Sequence, residues 1–152
     1  MKTKALVEYL KTYLEADKFQ DYAPNGLQVE GKDDIRKIAL GVSASLELIE
    51  KAAAIGADAL LVHHGWFWKG EPSPVVGIKR RRLGALIESN MNLIAFHLPL
   101  DAHPTVGNNA QLARLLGLKT ESRTGFLDLL HVGTLIDGEM TAAAFAERVA
   151  RV

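Results

Sequence analysis

Two short apolar runs in this chain each end in groups that bind protons and metals. Leu60-Leu61-Val62 is followed directly by His63-His64-Gly65, and Phe96 by His97-Leu98-Pro99-Leu100-Asp101. Apolar runs of this length, bounded by breakers, read as buried strands. In an open α/β sheet, ligands gather at the C-terminal ends of the strands. The spacing therefore predicts that two strand ends deliver His63, His64, His97 and Asp101 to one crevice. Three imidazoles and a carboxylate are a ligand set for Zn, Fe, Mn or Ni.

The flanking sequence supplies the sheet that this reading needs. Leu6, Leu10 and Leu14 recur at spacing four and predict a helix over 3–15. A loop-rich passage over 17–34 contains the turn Tyr22-Ala23-Pro24-Asn25-Gly26 and a short strand at Leu27-Gln28-Val29. Then comes a regular alternation. Residues 36–42 are β-like, with Ile38, Leu40 and Val42 on one face. Ser43 or Ser45 caps a helix that runs to Ile55 and ends at Gly56. Ala59–Val62 and Asn92–Phe96 are strands. Between them lies a helix over 78–89 with Leu83, Leu86 and Ile87 as its apolar stripe and Asn90 as its terminator. A further helix over 108–116 closes at Gly117. The order β-α-β-α-β-α predicts an α/β fold, a mostly parallel sheet layered with helices and linked by right-handed crossovers.

The pattern changes after residue 118. Residues 119–129 read as irregular, Leu130–Ile136 as a strand, Asp137-Gly138 as a turn and Thr141–Ala150 as a capped helix. The division expected is an N-terminal α/β metal-site domain over 1–118 and, over 119–152, the beginning of a further α/β unit.

Composition narrows the function classes. Lys and Arg balance Asp and Glu at 18 each, so the formal net charge is zero. A general nucleic-acid binder needs a basic face to displace counterions, and none is implied. The chain has no cysteine, which removes disulfide frameworks, thiolate metal sites and Cys nucleophiles, and fits a cytoplasmic setting. No signal-peptide pattern and no apolar run of membrane-spanning length is expected. A P-loop, a G-x-G-x-x-G after a strand and a G-x-S-x-G elbow are all missing.

Each candidate residue also has a plainer reading. His63 and His64 are neighbours, and neighbours on a strand point to opposite faces. One of them could be a core histidine bonded to backbone and the other exposed. Gly65 would let the chain bend, so that both rings lie near the sheet edge. Asp101 suits a bridge between two metals or a cap of a helix or turn. His97 reads as a ligand or, more naturally, as a donor that orients another ligand. Trp66-Phe67-Trp68 either packs under its loop or walls a pocket and stacks on a planar ligand. Lys79-Arg80-Arg81-Arg82 opposes the macrodipole at a helix start, which suits an anion partner or a solvated face. His103 and His131 read as structural or exposed.

Several stretches together carry a family resemblance. Tyr22-Ala23-Pro24-Asn25-Gly26-Leu27-Gln28-Val29-Glu30-Gly31, Val62-His63-His64-Gly65 and His97-Leu98-Pro99-Leu100-Asp101-Ala102-His103-Pro104, followed by Gly107-Asn108-Asn109, resemble the signatures of one widespread family. It is known as the GTP cyclohydrolase 1 type 2 homologues, or Nif-three-like dinuclear metal centre proteins. Trp66-Phe67-Trp68-Lys69-Gly70 is similar to the loop of its bacterial branch. The resemblance implies an α/β protein of two related domains, two divalent metals in a cleft, and a hexameric ring with its sites facing an inner cavity. On the matching motifs it implies His63, His64 and Asp101 as metal ligands, with His97 close by. Members of the family continue beyond this length, and a later His-x-x-x-Glu motif supplies their remaining ligands. Here His131 is followed four residues on by Leu135, so the chain resembles an N-terminal portion.

The function expected is therefore a metal-dependent hydrolase. Its metals, of the Zn, Fe, Mn or Ni class, would be held by His63, His64 and Asp101. A metal-bound hydroxide would be the nucleophile, and His97 would act as the catalytic proton shuttle or orienting group. The substrate would be a small molecule of the nucleotide class, its ring stacked near Trp66 or Trp68. The rival expectation is a non-catalytic metal-binding scaffold or regulatory protein.

Overall fold

The computed structural model describes residues 1–152, which divide into two compact units, Met1–Pro99 and Leu100–Val152. The first holds a four-stranded sheet in the order β1-β4-β3-β2, from β1 (Gly26–Val29), β2 (Ile38–Ser43), β3 (Ala59–His64) and β4 (Asn92–Ala95). β2, β3 and β4 run parallel, in the register Ala39↔Leu60 and Leu60↔Leu93, and β1 joins β4 antiparallel. The expected α/β fold with a largely parallel sheet is the fold observed.

Helices α2 (Leu46–Ala54) and α3 (Gly77–Glu88) supply the crossovers, and α1 (Thr3–Tyr13) opens the chain. Ser45 caps α2, its Oγ accepting from the Leu48 N–H at 3.2 Å. The helix ends where Gly56 takes φ +68°, a conformation glycine adopts without a Cβ penalty. Three residues apart on one face of α2, Ile49 and Ala52 are fully buried. They meet Leu60 and Val62 of β3, Leu86 of α3 and Leu93 and Ala95 of β4 in one apolar core.

The apolar stripe expected on α3 is narrower than the sequence suggests. Leu86 is buried and Leu83 packs on the core, but Ile87 is 66 % exposed. Successive helix residues are about 100° apart around the axis, so Leu86 and its neighbour face different surroundings. On β2, Ile38, Leu40 and Val42 do share a face, and that face is open. Leu40 is 73 % and Val42 69 % exposed. The small residues Ala39 and Gly41 alternate with them and face the core, where a Cβ on Gly41 would collide with the Leu48 side chain.

Buried polar groups tie the loop passage to the sheet. The Asn92 side chain is fully buried. Its Oδ1 accepts from the Gly31 N–H at 2.8 Å, and its Nδ2 donates to the carbonyls of Lys32 at 2.8 Å and Asp58 at 3.1 Å. Asp58 accepts from Lys32 Nζ at 2.7 Å and from the N–H groups of Arg36 and Lys37 at 2.9 and 3.0 Å. The irregular segment before β2 is thus held by side chains that satisfy its backbone.

The second unit contains α5 (Asn108–Leu115), an antiparallel pair β5 (Leu118–Thr124) and β6 (Leu130–Leu135), and α6 (Ala142–Ala150). A short helix, α4 (Leu98–Ala102), precedes α5. Residues 119–129, expected to be irregular, instead carry most of β5, in the register Leu118↔Leu135 and Thr124↔Leu130. Lys119-Thr120-Glu121-Ser122-Arg123-Thr124 has no apolar alternation, because all six residues are exposed; the ladder with β6 makes it a strand. α6 is capped as expected, with Thr141 Oγ1 accepting from the Ala144 N–H at 3.2 Å.

Candidate metal centre

β3 runs through His64, which pairs in register with Ser43 of β2. Its last two residues and His97, the second residue past β4, converge. His63, His64 and His97 each offer a ligand atom, and these atoms lie within 4.8 Å of one another. The ring centroids are 4.3 Å apart for His63–His64, 5.0 Å for His63–His97 and 5.7 Å for His64–His97. Three imidazole nitrogens gathered this closely are a donor set that can hold a metal ion. Imidazole suits Zn, Cu, Fe or Ni, and the donor set fits a divalent metal of that class.

Gly65 serves this cluster through space rather than through a bend. Its φ lies outside the left-handed region, but a Cβ there would collide with the Gln28 side-chain amide and with Ala95. The chain after the two histidines therefore runs close against β1 and β4.

The residue that sequence reading passed over is Asp21. Its side chain is 2 % exposed, and its Oδ1 lies 2.8 Å from His97 Nδ1. The same carboxylate accepts from the Tyr22 N–H at 2.6 Å, Asn25 Nδ2 at 3.0 Å and the Leu98 N–H at 2.9 Å. Burial by itself pushes this carboxyl up. The bonds from His97, Asn25 and the Leu98 and Tyr22 backbones outweigh that push and hold it below the usual carboxylate range. Asp21 is thus an anion at neutral pH. Asn25 grips the same loop from a second point, its Oδ1 accepting from the His97 N–H at 2.8 Å. At the other imidazole pair, Ser43 Oγ lies 3.0 Å from His64 Nδ1. Asp21 and Ser43 carry no motif of their own. Their signal in sequence is position, the one four residues before Asn25 and the other at the end of a β-strand.

The aromatic loop divides between core and site. Trp66 is 6 % exposed, belongs to the apolar core and donates from Nε1 to the Ala44 carbonyl at 3.0 Å. Trp68 stands edge-on to His97, with ring centroids 5.0 Å apart and planes at 84°, and 6.2 Å from His64. Phe67 takes φ +63°, an uncommon conformation for a bulky residue. α3 holds this loop by cations. Arg82 lies 6.0 Å from the Trp66 ring centroid and Lys79 5.7 Å from that of Phe67, and Lys79 Nζ also donates to the Pro72 carbonyl at 2.9 Å. Arg80 and Arg81 line a groove between α2 and α3 together with Glu50 and Glu88.

Asp101 belongs to the second unit, in α4, where its Oδ1 accepts from Asn108 Nδ2 at 2.7 Å. His103 Nδ1 accepts from the N–H groups of Thr105 and Val106 at 3.3 and 3.2 Å, a turn-closing role. His131 Nδ1 lies 3.1 Å from Thr120 Oγ1 across the β5–β6 pair.

Fold and site together define an α/β protein whose parallel strands end in a cluster of three imidazoles suited to a divalent metal. Comparison with known proteins gives the family. The chain belongs to the Duf34/NIF3 (NGG1p interacting factor 3) family, whose model matches residues 1–152. It is 56 % identical over 116 residues to a GTP cyclohydrolase 1 type 2 homolog of Pseudomonas aeruginosa, covering 76 % of this chain and 46 % of the relative. With the homolog of the same name from Allochromatium vinosum it shares 50 % identity over 147 residues, covering 96 % of this chain and 58 % of that protein. The crystal structure of TTHA1606 from Thermus thermophilus superposes with a TM-score of 0.89 at 41 % identity, over 99 % of this chain and 61 % of that one. Reduced HcgD from Methanocaldococcus jannaschii gives 0.81 at 27 % identity, over 99 % and 60 %. The chain spans about half the length of the curated relatives it matches. No helix in it is long and apolar enough to cross a membrane.

Proposed function

We propose that this chain carries the metal-holding half of a metal-dependent hydrolase. The observation that supports this most is the convergence of His63, His64 and His97, with ligand atoms within 4.8 Å of one another. A divalent metal bound there would supply Lewis acidity and lower the pKa of a coordinated water. His97, its Nδ1 anchored by Asp21, holds its ring in one orientation beside the other two, and in this reading its Nε2 either joins the metal or passes a proton. Trp68, edge-on to His97, offers an aromatic wall for the planar ring of a nucleotide such as GTP. Trp66 holds the loop that carries it.

Asp101 is the carboxylate assigned to complete the ligand set, with two divalent ions in the intact site. A cytoplasmic hexameric ring and a domain division after residue 118 belong to the same proposal. The second reading, a non-catalytic scaffold, is favoured by one observation: the outward face of β2 presents Leu40 and Val42 largely uncovered, as a protein-binding surface would.

Elemental analysis of chelator-stripped and then Zn-, Mn-, Fe- or Ni-reloaded protein, followed by assay against GTP, decides between them. Stoichiometric metal with turnover that disappears on chelation supports the hydrolase. Stoichiometric metal with no turnover of a nucleotide panel favours the scaffold.

A further inference from the structure

We propose that Asp21 is a positioning residue of this metal centre: it fixes His97 as the tautomer protonated on Nδ1, so that Nε2 is the atom His97 turns toward His63 and His64. The inference rests on the metal-site reading above. Its grounds are geometric. The Asp21 carboxylate is almost wholly buried and every partner seen around it is a donor: two backbone N–H groups, the Asn25 amide and the His97 ring. A carboxylate in that setting accepts hydrogen bonds and offers none, so the proton between it and the ring sits on Nδ1. In the opposite tautomer two lone pairs would face each other at 2.8 Å. A histidine whose second nitrogen donates to a carboxylate is also a more basic and better oriented metal ligand.

The sequence around Asp21 acquires a purpose on this view. The turn Tyr22-Ala23-Pro24-Asn25-Gly26 is a bracket for the loop after β4. Asn25 Nδ2 donates to Asp21 while its Oδ1 takes the His97 N–H, so backbone and ring of His97 are held by two residues four apart. The same passage holds the aromatic loop, since the Lys69 N–H donates to the Tyr22 carbonyl at 2.7 Å. Tyr22–Gly31, one of the stretches that resemble the family, contributes no atom to the imidazole cluster. It aims the residues that do.

Two measurements on the full chain test the assignment. The first is long-range proton–nitrogen NMR of the metal-free wild type at neutral pH, which reads the His97 tautomer directly. Protonation on Nδ1 is expected, and protonation on Nε2 overturns the proposal even if no variant folds. The second is Zn2+ affinity by chelator competition. Asp21→Asn is expected to weaken binding by about 10- to 100-fold, and to weaken it no further in a His97→Ala background. An equal loss in both backgrounds would make Asp21 a general structural residue and overturn the proposal. His63→Ala tests the reading underneath: undiminished Zn2+ affinity in that variant removes the metal site, whatever the His97 tautomer.

Discussion

The Gln28 side-chain amide pairs with the backbone of Trp66 on both edges. Its Oε1 accepts from the Trp66 N–H at 2.7 Å and its Nε2 donates to the Trp66 carbonyl at 3.1 Å. One side chain from β1 thereby does for the loop after β3 what a neighbouring strand would do. Gln28→Leu keeps the volume and removes both bonds, leaving a poorly hydrated N–H and carbonyl unpaired. We expect a loss of about 1–3 kcal/mol in urea unfolding. Trp68 fluorescence should shift in the folded baseline, because the loop that presents it is released.

Gly65 stands where a Cβ would meet the same Gln28 amide and the Ala95 methyl. Gly65→Ala should cost about 1–3 kcal/mol through overpacking, with weakened metal retention, since the strand end bearing His63 and His64 must move. A denaturation midpoint and metal content equal to wild type would show that the loop yields without strain.

The imidazole cluster has a direct test. His63→Ala combined with His64→Ala should abolish metal retention after gel filtration while leaving the circular dichroism spectrum unchanged, because neither ring belongs to the apolar core. Asp101→Asn should weaken metal binding if its carboxylate completes the site. With unaltered metal content, Asp101 is a residue of the α4–α5 connection that serves Asn108.

Asp58 sets an acid dependence of stability. Its bond to Lys32, with those from the Arg36 and Lys37 N–H groups, holds the carboxyl far below its ordinary value. A carboxyl depressed in the folded state stabilises the fold fully above its unfolded pKa, about 3.9, and loses that contribution as pH falls toward its folded value. Wild type should therefore lose stability steadily below about pH 4. Asp58→Asn should start less stable at pH 7 and show a shallower decline. Thermal midpoints measured from pH 7 to pH 2.5 read both slopes, and parallel curves would remove Asp58 as the source.

Much of this was legible in the sequence, for stated physical reasons. The alternation of apolar runs with capped amphipathic segments determined a parallel α/β sheet, because burial demands those periods and Ser45, Gly56 and Asn90 punctuate them. It also placed His63, His64 and His97 at strand ends, where such sheets collect ligands. Three things needed the tertiary structure. β5 is a strand through its ladder with β6, with no periodicity to announce it. Ile38, Leu40 and Val42 share one face in the sequence pattern, and only the packing decides that this edge strand turns its small residues inward instead. Asp21, in a loop 76 residues before His97, meets it because β1 and β4 are neighbours, and that pairing is decided by the packing of the whole sheet. Local chemistry chose the donors of the site, and long-range packing chose the anion that aims one of them.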